Sequence, residues 1–123
     1  VTPLLFAGVA LAGGVGAGLR WLADVLLSRV LPVGFPWPIL AVNVTGSLAL
    51  GAVTGASLDT AWMALLGTGL LGGFTTFSTV AVDAEILRTE GRPMAAAMNA
   101  VGTLALSAVA ALAGLALGAP LAA

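Results

Sequence analysis

Gly72-Gly73-Phe74-Thr75-Thr76-Phe77-Ser78-Thr79 stands at the centre of the third long apolar segment and is ill suited to an uninterrupted membrane helix. Two adjacent glycines cost about 1 kcal/mol each in a helix interior, and the Thr and Ser hydroxyls compete for nearby backbone groups. A helix that opens here frees carbonyls and amides. Lipid offers such groups no partner, so non-helical backbone at bilayer depth is confined to places where it is buried in protein or lines a cavity. The stretch is therefore predicted to break the helix and to face a pore or a binding site.

The surrounding chain has the composition of an integral membrane protein. Its 123 residues are 60% hydrophobic and 7% charged, with no His, Cys, Lys or Tyr and a mean hydropathy of +1.16. Soluble domains carry about a quarter charged residues, and four Arg with five Asp or Glu cannot cover a water-facing surface. A net charge of −1 without a basic cluster argues against nucleic acid as a partner. Without Cys and His there is no thiol chemistry and no ordinary transition-metal site, and no nucleophile and base are paired for an enzyme.

Four apolar segments emerge, Pro3 to Leu27, Trp37 to Ser57, Ala61 to Leu87 and Met94 to Leu117. Each is near or above the ~20 residues that span a ~30 Å hydrocarbon core. The prediction is all-α: one four-helix transmembrane domain over residues 1–123, with neighbouring helices antiparallel. The first segment is long and Gly-rich to its end, which reads as a spanning helix and not a secretory leader. Short turns connect the segments, at Pro32-Val33-Gly34-Phe35-Pro36, at Asp59 and at Glu90-Gly91-Arg92-Pro93. Trp21 and Trp37 fall toward one membrane face and Trp62 toward the other. Residue 74 is the centre of the third segment, so the break is predicted near the bilayer midplane.

Several side chains have two readings each. Gly14 and Gly18 in the first helix have the spacing that lets helices touch closely. Arg20 either snorkels to the interface or sets a positive potential at an anion entrance. Asn43 is costly in lipid and points inward, either to an interhelical hydrogen bond or to a ligand, with Ser47, Gly51 and Gly55 following at one-turn spacing. Phe74 and Phe77 share a face if the chain between them stays roughly helical. Such a pair is ordinarily core or lipid-facing, but a phenyl edge is positive and can rest against an anion without a fixed charge nearby. Thr103 and Ser107 lie on one face of the fourth helix, as packing glue or as a polar track.

In combination these motifs resemble the CrcB/Fluc family of small fluoride channels over nearly the whole chain. The resemblance rests on Gly13-Gly14-x-Gly16-Ala17-x-x-Arg20-Trp21, Phe35-Pro36-Trp37, Asn43-Val44-Thr45-Gly46-Ser47, the 69–79 stretch, and Glu90-Gly91-Arg92. It implies a passive, fluoride-selective channel in the cell membrane, built as an antiparallel dual-topology dimer with two pores. By the same resemblance Phe74, Phe77 and Asn43 line the fluoride path and Thr103 and Ser107 form its polar track, with Arg20 at the vestibule. Carbonyls of Gly72 and Thr75 from both subunits would hold a central structural Na⁺; four hard oxygens suit a group 1 cation. Four positions depart from the usual pattern: Ile39 for Thr, Val80 for Phe, Asp83 for Glu, and Thr103 where Tyr is common.

Two other functions compete. A small multidrug-type antiporter needs an intramembrane carboxylate for proton coupling, and none lies mid-helix in the first two segments. A non-conducting structural subunit of a heterodimeric channel is the second, supported by the Gly-rich faces. No internal repeat relates the halves, so an inverted pair of repeats would have to come from antiparallel dimerisation. The basic residues bear on the partner. Arg20, Arg29, Arg88 and Arg92 all lie toward the first and third connections, which predicts those connections cytoplasmic and both termini external. Dual topology calls for little such bias, so a homodimer and a heterodimer with an oppositely oriented paralogue both stand.

Overall fold

The computed structural model describes residues 2–122, and the regular structure of those residues is entirely helical. Helix α1 (Pro3–Ser28) starts where the Thr2 hydroxyl accepts the Leu5 N–H at 3.1 Å, with Pro3 in the first turn where its missing N–H costs nothing. A connection turned by Gly34, at φ +103°, leads into α2 (Trp37–Gly55). That helix stops short of the expected Ser57 because Ser57 itself adopts φ +55°. The Asp59 carboxylate then caps α3 (residues 60–74) by accepting the Trp62 N–H at 3.0 Å. Helix α4 (Ser78–Thr89) follows, and Gly91 at φ +77° turns the chain into α5 (Pro93–Gly118), which tightens to a 3₁₀ turn over Ala119–Ala122. Counting α3 and α4 as one span, Thr60–Thr89, four helices are long and apolar enough to cross a membrane.

Two features of the third span were not expected. Over Met63–Leu71 the chain is a π-helix, closed by a Gly72 N–H that reaches back five residues to the Gly67 carbonyl. The glycine pair does not break the helix either: Gly72 keeps φ −62° and ψ −38°, and Gly72–Phe74 is α-helical. The regular ladder instead ends at Phe74, where Thr75 turns extended at φ −79° and ψ 156°, and resumes at Ser78. With Thr75 extended, the helical spacing that would align Phe74 with Phe77 is lost.

The glycines serve close packing. A Cβ on Gly73 would run into the Gly13 carbonyl, and one on Gly16 into the Leu70 carbonyl, so α1 and α3 meet backbone to backbone. The α2–α5 pair interlocks the same way, with Gly51 and Gly55 on the Ala111 and Leu115 carbonyls and Gly114 and Gly118 on those of Leu48 and Ala52. Association in lipid depends on such van der Waals contact, since hydrocarbon gives no hydrophobic drive between helices. The expected pair Gly14 and Gly18 takes no part. A Cβ at either would meet nothing within 4 Å, because Gly13 and Gly16 are the residues α1 turns toward α3.

Candidate functional site

At the end of α3 the chain folds back on itself. Both the N–H and the hydroxyl of Thr75 donate to the Leu71 carbonyl, each at 3.0 Å. The next residue is held from α2: Asn43 Oδ1 accepts the Thr76 N–H at 2.8 Å while its Nδ2 donates to the Thr76 carbonyl at 3.0 Å. Asn43 is 5% exposed, so one buried carboxamide replaces both ladder bonds that Thr76 lost when the helix opened. Thr76 in turn starts α4, its hydroxyl accepting the Thr79 N–H at 3.2 Å and sitting 3.3 Å from Ser78 Oγ. Gly46 lets α2 cross this region, since the place of its missing Cβ lies 3.1 Å from a Phe74 ring carbon.

The opening leaves other groups unpaired. Among the described residues no donor bonds to the carbonyls of Gly72, Gly73, Phe74 or Thr75. Against this backbone lies a cavity of about 620 Å³, bounded by α2, the interrupted segment and α5. Its lining includes Asn43 and Ser47 from α2, Gly72, Thr75, Thr76 and Phe77 from the interruption, and Thr103 and Ser107 from α5. The Thr103 and Ser107 hydroxyls are buried without a hydrogen-bond partner. Buried polar atoms are normally satisfied, so two orphan hydroxyls beside one cavity stand out. The wall therefore offers hydroxyls, a carboxamide, backbone and an aromatic ring, and no formal charge.

Six of the eight residues singled out in the sequence meet here, and two do not. Phe74 packs on Gly46 outside the cavity lining, and Phe77 is 86% exposed at its edge. Arg20 is half-buried on α1, away from the lining and without an ion pair among the described residues. A second cavity of about 300 Å³ under residues 31–36 carries Asp24 and Asp83, a pair that repels anions. Asn99, a polar residue of the fourth helix with no role assigned from sequence, is 1% exposed and its Nδ2 donates to the Val80 carbonyl at 3.1 Å. Its signal is a carboxamide one turn before Thr103, on the face that Thr103 and Ser107 share.

Four apolar spans, three of which border an uncharged polar cavity, define a multi-pass membrane protein. The chain belongs to the family described as CrcB-like protein, Camphor Resistance (CrcB), which it matches over residues 7–115. It is 45% identical over 122 residues to the Fluoride-specific ion channel FluC 1 of Leifsonia xyli subsp. xyli (strain CTCB07), covering 96% of this chain and 89% of that protein. It is 46% identical over 96 residues to FluC 1 of Rubrobacter xylanophilus, covering 77% of each. With FluC 2 of Mycobacterium bovis the identity is 38% over 114 residues, covering 93% of this chain and 90% of the relative.

Proposed function

We propose that this chain is a fluoride-selective channel that lets fluoride leave the cell passively across the plasma membrane. The observation that carries the reading is the uncharged, donor-lined cavity against the interruption, in a chain whose relatives are named fluoride-specific ion channels. A small, strongly hydrated anion needs donors in place of water, but a fixed cation would hold it too tightly to leave. Hydroxyls of Thr103 and Ser107, the spare N–H of Asn43 and the ring edge of Phe77 supply neutral, positive-ended contacts. Phe74 joins this set in the assembled channel, and Arg20 raises the local anion concentration at the mouth.

The assembly we envisage is an antiparallel dimer with the interruption at the bilayer midplane. A Phe77 ring 86% exposed in the single chain supports a partner at that point. The donor-free carbonyls of Gly72 and Thr75 fit a hard monovalent cation, and two chains would contribute four such oxygens to one Na⁺ on the dimer axis. When bound, that ion would compensate carbonyls that are otherwise desolvated without partners.

Fluoride efflux from liposomes, followed with a fluoride electrode under a potassium diffusion potential, tests the function. Wild type should release fluoride and retain chloride without any proton gradient. Phe74→Ile and Phe77→Ile should assemble normally, since volume and apolarity are nearly kept, and should release fluoride more slowly. Efflux that strictly follows a proton gradient points to an antiporter. No efflux from the chain alone, restored by an added paralogue, points to a subunit of a heterodimer.

A further inference from the structure

We infer that Asn99 is a positioning residue for ion passage, holding the first turn of α4 in the register that presents Phe77 and the α5 hydroxyls to one cavity. The inference rests on the channel reading above. Asn99 is, with Val42, one of the two largest fully buried side chains, and a carboxamide in such a place needs a purpose. Its Nδ2 donates to the carbonyl of Val80, a residue that lines the cavity from α4.

That carbonyl does not depend on Asn99 for satisfaction. It lies inside the helix Ser78–Thr89, where the N–H four residues on is its regular partner, and a carbonyl has a second lone pair to offer. The bond therefore adds a tether between α5 and α4 instead of filling a gap. It has a counterpart, since Asn43 grips Thr76 from α2, one turn before Val80. Two carboxamides from two neighbouring helices thus fix both ends of the Thr76–Val80 turn. Between them Phe77 is 86% exposed and has no packing of its own to hold it.

The register of α5 completes the argument. Asn99, Thr103 and Ser107 recur at four-residue spacing and share one face, and the last two are the orphan hydroxyls of the cavity. Bonding Asn99 to Val80 sets both the height and the rotation of that hydroxyl row against the interruption. Without the tether α5 can turn or slide by a fraction of an ångström while the bundle stays assembled, because the glycine contacts to α2 hold it independently.

Asn99→Leu tests this, keeping the volume and deleting the donor. The full chain is reconstituted at low protein density, so that most vesicles hold one channel or none. The fraction of vesicles that empty then counts functional assemblies, and the rate constant reports passage through each. A purely structural residue changes the fraction alone. Positioning predicts a wild-type fraction and a rate constant roughly three- to twentyfold lower, the range of one interhelical side-chain bond acting on the barrier. Asn99→Ala, which also removes the Nδ2 donor, should be slowed as well. A wild-type rate in either variant overturns the inference, whatever the fraction. Failure of both variants to assemble also overturns it, assigning Asn99 to folding. Wild type measured alongside separates the two proposals: its silence defeats the fluoride reading, whereas its normal efflux with an equal variant rate defeats only this one.

Discussion

Replacing Asn43 by Ala removes the two hydrogen bonds that hold Thr76, at 2.8 and 3.0 Å, and puts nothing in their place. Interhelical side-chain bonds in membrane proteins average about 0.6 kcal/mol and reach about 1.7 kcal/mol, so the pair is worth about 1–3 kcal/mol. At 1.4 kcal/mol per factor of ten, local opening at Thr76 rises about fivefold to a hundredfold. Amide hydrogen exchange in nanodiscs, resolved to single residues, reads that factor directly at the Thr76 N–H. The Thr75 N–H is the internal control, because it bonds to the Leu71 carbonyl and not to Asn43. Asn43→Asp separates clamp from ion path. It keeps the acceptor for the Thr76 N–H but loses the donor to the Thr76 carbonyl, so exchange there should rise less than in Asn43→Ala, while a carboxylate on the cavity wall should stop fluoride. Equal Thr76 exchange in wild type and Asn43→Ala would refute the clamp.

Four further outcomes are expected. Thr103→Val and Ser107→Ala should leave stability to unfolding in detergent unchanged or slightly higher, because each removes a buried hydroxyl without a partner, and should slow fluoride efflux; a clear loss of stability would reveal a bond the orphan assignment misses. Gly73→Ala forces α1 off α3 at the Gly13 carbonyl, whereas Gly14→Ala meets open space within the chain, so thermal unfolding of the first should come well below the second; similar midpoints would contradict the packing. Exchange of Na⁺ for a large organic cation should weaken dimerisation and silence efflux, with Gly72 and Thr75 as the site; indifference to the exchange would remove the ion from the account. Cysteine tagging at each terminus in cells should find both termini external if the four Arg fix orientation, and an even split would favour a dual-topology homodimer.

What the sequence displayed well was everything governed by composition along one dimension. Span lengths follow from apolar runs, and the predicted ends at Leu27, Leu87 and Leu117 fall within a turn of the observed ones. Ser57 is the visible miss, and its cause is a single left-handed residue that no hydropathy window registers. The interruption falls inside the 72–79 stretch that the sequence marks, though not at its glycines. Glycine cost and the Thr and Ser hydroxyls together mark the break, yet Gly72 and Gly73 stay helical, and Gly73 is small because the Gly13 carbonyl needs the room. The opening itself comes at Thr75 to Phe77, where a carboxamide on another helix accepts what the ladder gives up. Propensity sees the first effect. The second depends on a residue 33 positions away.

The same limit explains why Asn43 was legible and Asn99 was not. Asn43 sits in a run of Thr, Gly and Ser that already looks unlike lipid-facing helix, so its polarity is reinforced by its neighbours. Asn99 is flanked by Ala, Met and Val, and its use appears only when Val80 is brought beside it. Both nonetheless solve one physical problem. A span that opens in a membrane must have its loosened turn held by side chains, because water is absent and lipid cannot help. Gripping Thr76 from α2 and Val80 from α5 gives a turn that is fixed at both ends and bare between them. Bareness there is what leaves Phe77 and the carbonyls of Gly72 to Thr75 free of intramolecular partners. The two asparagines thus hold the interrupted stretch from two helices, and a chain lacking only the Asn99 tether to Val80 is expected to assemble normally while passing fluoride more slowly.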